Sequence, residues 1–347
     1  MKAVCFEGVQ RVAVHELADP TIQQGSDAIV QVRLAGLCGS DLHPFFGREV
    51  GLDPGTVMGH EFVGEIVAVG DQVRELHVGD QVCAPFTTSC GQCFYCEREI
   101  SSRCVDSQLF GWRENASGLH GGQASLVRVP LADGTLMRIP NGVSDEVALL
   151  LGDNLSTGYF AADMVGIQSG GVYAVVGCGT VGLLAIASAL RLGANQVIAV
   201  DPNPSRLEIA RGLGAIPFND SEAASEEILG RTNGRGADGV MEMVGLPAAQ
   251  SLAYELIRPG GVLAVIGCHC TPHFTFSPSD AYDKNLTYRT GRCPARSYMG
   301  KLSTQLEEQP MDLSWCITHR FDLSEAAKAY EVFAGQKQGC IKAAFQL

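Results

Sequence analysis

Residues 175–182 read VVGCGTVG, and this short stretch decides the fold. An apolar run, Val172 to Val176, leads into it and predicts a strand buried on both faces, and an apolar helix is predicted from Val181 to Leu192. In GxGxxG spacing the first glycine makes the turn, the second admits a pyrophosphate and the third lets the helix pack on the strand. The stretch therefore predicts a dinucleotide-binding turn built on Gly177, Gly179 and Gly182, the alternative being a tight turn without a ligand.

The residues that follow repeat the same strand–helix rhythm. Strands are predicted at 196–200, 238–244 and 262–266, with helices at 205–213 and 252–257 between them. Alternation of this kind, with strands that are apolar on both faces, is typical of a parallel sheet covered by helices. We therefore predict an α/β fold with a doubly wound parallel-sheet (Rossmann) domain over residues 155–293.

An acidic residue stands where such a domain contacts the adenosine ribose. Asp201 ends the second strand, 19 residues after Gly182. A carboxylate there accepts hydrogen bonds from the ribose and repels a 2′-phosphate, so NAD is predicted rather than NADP. The predicted cofactor site also includes Thr180, Val181 and Arg206.

The first part of the chain is rich in short β-branched runs. Strands are predicted at 28–34, 62–69 and 81–84, with Gly and Asp clusters between them, which indicates a barrel-like β domain. A helix at 324–333 and a strand at 340–347 are too short to form a core of their own. We therefore predict one β-rich domain, residues 1–154 with 294–347, into which the Rossmann domain is inserted.

Four cysteines are clustered within one short segment. Cys90, Cys93 and Cys96 are spaced by two residues, and Cys104 follows after seven more. Four thiolates around one ion make a closed tetrahedral site, which predicts a structural zinc. An iron–sulfur cluster is the alternative, although its fourth cysteine usually comes sooner and precedes proline.

A second set of metal-type residues is dispersed. Residues 36–43 read GLCGSDLH and residues 59–61 read GHE, so thiolate, imidazole and carboxylate groups occur beside glycines. A catalytic zinc takes three protein ligands and keeps one position open. Cys38 and His60 are candidate ligands, and the third ligand comes from elsewhere in the chain.

Composition excludes several other classes of protein. The 347 residues are 46% hydrophobic and 18% charged and carry a formal charge of −13, with a mean hydropathy of +0.10. These values argue against disorder, a membrane span and binding to nucleic acid. The start of the chain predicts no secretory leader, and 13 cysteines in such a chain favour metal binding in the cytoplasm over disulfides.

Taken together, these motifs resemble the zinc-containing alcohol dehydrogenases of the medium-chain dehydrogenase/reductase superfamily. The resemblance covers essentially the whole chain and extends to Ile317–Phe321 near its end. It implies a GroES-like catalytic domain with a structural zinc lobe at about residues 88–106. It also implies two zinc ions per chain.

The resemblance assigns roles to individual residues around the catalytic zinc. It implies that Cys38, His60 and Asp153 bind the ion, with Asp153 standing where many relatives have cysteine. Glu61 is implied as a neighbour or occasional fourth ligand, and Asp41 as the hydrogen-bond partner of the His60 imidazole.

Further residues are assigned to proton transfer and to the cofactor. Ser40 is placed to accept the hydroxyl proton and His43 to pass it towards solvent, the alternatives being a loop hydroxyl and a surface imidazole. Thr157 is implied to pack at the nicotinamide and Lys342 to contact the pyrophosphate. Arg292 is predicted near the cofactor or the substrate.

The activity implied is oxidation of a small or medium alcohol to an aldehyde or ketone, or the reverse, with hydride transfer to NAD. A polyol or sugar dehydrogenase, a formaldehyde dehydrogenase and a non-catalytic protein that binds zinc and NAD are the alternatives. The resemblance also implies a homodimer or homotetramer, and no nucleic-acid or membrane partner is expected.

Overall fold

The computed structural model describes the backbone of residues 1–347 and every side chain other than that of Gln338. The chain divides into a first unit, Met1–Ser156 with Pro294–Leu347, and a second unit, Thr157–Cys293. Within the described residues, no helix has the length and apolar character needed to cross a bilayer.

Seventeen strands are present in chain order. They are β1 Lys2–Gly8, β2 Arg11–Glu16, β3 Ala28–Leu37, β4 Phe62–Val69, β5 Gln81–Cys83, β6 Trp112–Glu114, β7 Ser117–Leu119, β8 Leu126–Val129, β9 Met137–Arg138, β10 Val172–Val176, β11 Gln196–Val200, β12 Ile216–Phe218, β13 Ala237–Glu242, β14 Ile257–Val265, β15 Thr287–Thr290, β16 Ile317–Asp322 and β17 Lys342–Gln346.

Eleven α-helices accompany the strands, and several short 3₁₀ turns connect them. The helices are α1 Leu42–Phe45, α2 Ala132–Thr135, α3 Asp145–Gly152, α4 Asn154–Val165, α5 Thr180–Arg191, α6 Pro204–Gly212, α7 Ser221–Arg231, α8 Pro247–Leu256, α9 Pro278–Asp283, α10 Ala295–Glu308 and α11 Ala326–Ala334.

The second unit is built on one parallel sheet. Its six strands run in the order β12-β11-β10-β13-β14-β15, and every neighbouring pair is parallel. Apolar residues of β10, β11 and β13 pack with those of α7 and α8 in its core. The predicted doubly wound sheet is confirmed: its strands are parallel, and helices α5 to α8 alternate with strands β10 to β14 along the chain.

The first unit holds a mostly antiparallel sheet of seven strands. Its main order is β16-β17-β3-β4-β5-β9, and β8 also pairs with β3. β3 and β4 are paired antiparallel, with Ala35 opposite Phe62, so the end of β3 lies beside the start of β4. This pairing brings together the two segments that carry the dispersed candidate ligands.

Two elements of the last segment were not predicted from the sequence. Helix α10 buries Met299, Leu302 and Leu306, and β16 pairs in parallel with the final strand β17. The final strand also pairs antiparallel with β3, with Ala343 opposite Leu37. The last segment therefore supplies two strands to the sheet of the first unit.

Candidate metal centre and nucleotide-binding turn

Four side chains of the first unit converge on one small volume. One donor atom each from Cys38, His60, Glu61 and Asp153 lies within 4.8 Å of the others. Cys38 directly follows β3, His60 and Glu61 directly precede β4, and Asp153 follows α3. The structure thus brings together the three residues predicted as catalytic zinc ligands and the neighbour predicted beside them.

The distances within this cluster suit a shared ion. The Asp153 Oδ2 atom lies 3.5 Å from the Cys38 Sγ atom and 3.5 Å from the His60 Nε2 atom. All three side chains are buried, with at most 8% of each residue exposed. Thiolate, imidazole and carboxylate are zinc ligands, and three of them leave one position for water or substrate. The donor set therefore fits a catalytic zinc.

The His60 ring is oriented by a carboxylate on its far side. Asp41 Oδ1 lies 3.2 Å from His60 Nδ1, and the other oxygen of Asp41 accepts a hydrogen bond from the Cys38 N–H at 2.9 Å. A proton held on Nδ1 leaves Nε2, which faces Asp153, free to bind a metal. The Ser40 hydroxyl also lies close to this ring, with Oγ 3.2 Å from Nε2.

Burial and charge shift the titration of these groups. Burial raises the pKa of the Cys38 thiol, and the carboxylates of Asp153 and Glu61 raise it further. Burial lowers the pKa of His60, but Asp41 and Asp153 oppose this and leave it well above its usual range. Burial, together with the Arg48 charge, lowers the pKa of His43, so this buried imidazole is neutral at pH 7.

Lys342 lies beside the metal cluster. Its ammonium is buried, 1% exposed, and its Nζ atom forms a 2.5 Å ion pair with Glu61 Oε2. It also donates a 3.2 Å hydrogen bond to the Leu37 carbonyl. The structure thus identifies Lys342 as an ion-pair partner of Glu61, and its contact with the pyrophosphate stays a prediction.

The four clustered cysteines also converge. One sulfur from each of Cys90, Cys93, Cys96 and Cys104 lies within 4.8 Å of the others. The Cys90 N–H donates to Cys104 Sγ at 3.2 Å. Backbone N–H groups of Cys96 and Val105 stabilise the Cys93 thiolate and lower its pKa to about 6. The group fits a closed four-thiolate zinc site.

The segment that carries these cysteines buries little apolar surface of its own. Phe94 is 59% exposed and Val105 is 68% exposed, and the regular structure here is two 3₁₀ turns. A short loop with its apolar side chains in solvent gains little stability from packing. A metal cross-link would supply the stability that this loop lacks.

The glycine turn of the second unit has the geometry that its spacing predicts. Gly177 has a φ of +94°, and a Cβ on Gly182 would lie 1.9 Å from the Gly177 carbonyl oxygen. A Cβ on Gly179 would meet no atom of the described residues within 4 Å. The backbone beside Gly179, at the N-terminus of α5, is therefore open to a phosphate group.

The Asp201 carboxylate anchors this turn. Its Oδ2 atom accepts a 2.7 Å hydrogen bond from the Cys178 N–H, and Oδ1 accepts one of 2.8 Å from the Asn203 N–H. The Arg206 guanidinium lies 3.5 Å from Oδ2. Oδ1, with one donor from the described residues, keeps a second acceptor site, which suits a ribose hydroxyl.

The remaining predicted cofactor residues lie at several places in the second unit. Thr180 and Val181 begin α5, and Thr157 lies in the first turn of α4. Arg292 is exposed two residues after β15.

One residue beside the metal cluster was not predicted from the sequence. Asn154 directly follows Asp153 and is 1% exposed, and its amide donates a 2.9 Å hydrogen bond to Glu61 Oε1. Its position next to a candidate ligand could have indicated its role, because an amide there can donate a hydrogen bond to a carboxylate.

Comparison with known proteins supports the same interpretation. Residues 24–141 match the profile of the alcohol dehydrogenase GroES-like domain, and residues 180–308 match that of the zinc-binding dehydrogenases. These matches confirm the predicted α/β fold with a GroES-like part and a Rossmann part.

Individual proteins match over most or all of their length. Zinc-type alcohol dehydrogenase B of Aspergillus flavus is 42% identical over 349 residues, covering 97% of this chain and 79% of that protein. The solved structure of the alcohol dehydrogenase TADH from Thermus sp. ATN1 is 38% identical, covers 100% of both chains and has a TM-score of 0.94. That of galactitol-1-phosphate dehydrogenase from Escherichia coli is 27% identical, covers 100% of both chains and has a TM-score of 0.85.

Proposed function

Because this chain belongs to the zinc-dependent alcohol dehydrogenases of the medium-chain dehydrogenase/reductase superfamily, we propose that it oxidises a small or medium alcohol with NAD, or reduces the corresponding carbonyl compound. The observation that carries the proposal is the buried convergence of Cys38, His60 and Asp153. Three ligands of these types leave a metal position open for substrate. A zinc held only for structure needs no such opening.

The residues around the cluster supply binding and proton transfer. Zinc, when bound, supplies Lewis acidity that lowers the pKa of a hydroxyl group. Ser40 would accept the hydroxyl proton, because its Oγ lies 3.2 Å from the His60 Nε2 atom and so beside the metal position. His43 would take the proton onwards, since its lowered pKa keeps its imidazole neutral and able to accept a proton at pH 7.

The second unit would hold the cofactor. NAD, when bound, accepts the hydride that leaves the substrate carbon. The open backbone at Gly179 would receive the pyrophosphate, and Asp201 would accept the ribose hydroxyls. We place the preference for NAD on the buried Asp201 carboxylate, which repels a 2′-phosphate.

A polyol or sugar is the second candidate substrate. The likeness to galactitol-1-phosphate dehydrogenase, 27% identical over the whole chain, favours it. A panel of primary, secondary and polyhydroxy alcohols, assayed with NAD and with NADP, separates the two candidates.

We further propose two zinc ions per chain, one held by Cys38, His60 and Asp153 and one by Cys90, Cys93, Cys96 and Cys104, and a homodimer or homotetramer. Cysteines clustered as metal ligands favour a reducing compartment such as the cytoplasm.

Metal analysis combined with a cysteine substitution tests the proposal. The purified chain should contain about two zinc ions, and C38A should retain about one and lose alcohol oxidation. The matched control is C83A, which removes another buried thiol whose Sγ lies 3.7 Å from the Met137 carbonyl oxygen, outside both clusters. C83A should keep the zinc content and activity of the parent. A fully active C38A enzyme would refute the assignment.

A further inference from the structure

The amide of Asn154 lies among three candidate ligand side chains. Its Nδ2 atom is 2.9 Å from Glu61 Oε1, 3.2 Å from Asp153 Oδ2 and 3.9 Å from Cys38 Sγ. One neutral donor thus bridges two carboxylates that would otherwise face each other across the cluster.

The orientation of this amide is set by those carboxylates. If the group were rotated by half a turn, its oxygen would face two acceptors and gain no hydrogen bond. In the observed orientation Oδ1 is buried and has no hydrogen-bond partner among the described residues. Burial of an unpartnered carbonyl is unfavourable, so the orientation is maintained by what the nitrogen binds.

Glu61 is also held from its other side. Lys342 Nζ lies 2.5 Å from Glu61 Oε2, and a Cβ on Gly36 would lie only 2.0 Å from the same oxygen. Both carboxylate oxygens of Glu61 therefore face a donor, Asn154 on one side and Lys342 on the other. Asp153 Oδ2 also accepts a hydrogen bond from the Asn154 amide, at 3.2 Å, and it faces the Cys38 sulfur and the His60 ring as well.

We propose that Asn154 is a positioning residue that keeps Glu61 outside the metal coordination sphere while Asp153 stays within it. The inference rests on the proposed catalytic zinc. Without the amide, Glu61 Oε1 loses its donor, and a carboxylate oxygen within 4.8 Å of the other donor atoms becomes a fourth protein ligand. The position that substrate needs would then be filled by the protein.

Cobalt-substituted protein provides a readout that does not depend on turnover. Azide binds an open cobalt position and changes its visible spectrum, whereas the closed four-thiolate cluster has no free position. We expect N154L to bind azide at least about tenfold more weakly than the parent, the lower end of the usual effect of removing a partner of a metal ligand. N154A removes the amide without adding bulk and should change azide affinity in the same direction, which covers the case in which N154L does not fold.

The same substitution made in the double variant E61L/K342M separates the positioning role of Asn154 from a general structural effect. In E61L/K342M no carboxylate is present at position 61, so adding N154L should leave azide affinity within about twofold. The matched control Q250M removes a buried amide of the second unit, 3% exposed, and should bind azide as the parent does. An equal loss of affinity in both backgrounds would overturn the role assigned to Asn154.

The outcomes also distinguish this proposal from the function it rests on. If the cobalt-loaded parent shows no azide response, the open catalytic site itself is refuted. If the parent responds and N154L responds with the same spectrum and affinity, only the positioning role is refuted.

Discussion

Replacing Lys342 by methionine should destabilise the first unit strongly. Lys342 and Glu61 are 1% and 0% exposed in their side chains, and the Nζ–Oε2 distance is 2.5 Å. At an effective dielectric constant of about 20, two charges at such a distance attract by roughly 6–7 kcal/mol, most of which offsets the desolvation of both groups. K342M removes the attraction but leaves the Glu61 carboxylate buried, which typically costs about 3–5 kcal/mol.

Tryptophan fluorescence measures this loss in the unit that carries the pair. The chain has two tryptophans, Trp112 and Trp315, and both belong to the first unit. In a domain of this size each kcal/mol moves the thermal midpoint by about 2–4 °C, so K342M should lower the midpoint of the zinc-loaded protein by about 6–20 °C. K328M removes an exposed lysine paired with Glu325 and should shift it by at most a few degrees.

The double variant E61L/K342M decides whether the buried charge is the cause. Replacing both partners by apolar groups leaves no unpaired charge, and such exchanges are often neutral or stabilising. We expect its midpoint to lie closer to that of the parent than to that of K342M. The reasoning fails if K342M melts within about 3 °C of the parent, or if the double variant melts as low as K342M.

Three further predictions concern the other sites. G182A places a Cβ 1.9 Å from the Gly177 carbonyl oxygen and should abolish NADH binding, measured by fluorescence titration, with little change in the tryptophan melting midpoint; undiminished binding would contradict it. C96S should lower the zinc content by about one ion and expose residues 90–104 to limited proteolysis, and unchanged zinc content would argue against a four-thiolate site. D201G should reduce the kcat/KM preference for NAD over NADP at least about tenfold, and a preserved ratio would argue against a ribose contact.

The elements around the glycine turn of the second unit were predictable because their pattern is strong and local, whereas β12, α7 and α9 were not predicted. β10 and β11 begin and end where the sequence predicts, and α5 differs by one residue at each end. β13 ends at Glu242 instead of Val244, because the N–H groups of Val244 and Gly245 donate to the Glu242 side chain and turn the backbone out of the sheet.

The last segment, residues 294–347, was harder to predict, although part of its apolar pattern is present in the sequence. Met299, Leu302 and Leu306 have the spacing of one apolar helix face, and this face of α10 is buried. β16 spans residues 317–322 and alternates buried with more exposed positions only weakly. Its assignment depends on pairing with β17, which no local pattern reveals.

The residues of the metal cluster also fall into two groups, those that the sequence predicts and those whose place depends on the fold. Cys38 and His60 stand in glycine-flanked motifs that mark them as candidate ligands, and the resemblance added Asp153. The place of Lys342 follows instead from the register that sets Ala343 opposite Leu37. Sequence alone gives a basic residue near the end of the chain, and only the order of strands in the sheet identifies its acidic partner.

The position of β17 between β16 and β3 has a consequence for biosynthesis. The second unit is complete in sequence once residue 293 has left the ribosome, so it can fold during translation. The sheet of the first unit lacks an interior strand until residues 342–346 emerge. Nascent chains halted before that point would leave residues 34–37 of β3 without their partner strand, and such an exposed edge favours aggregation.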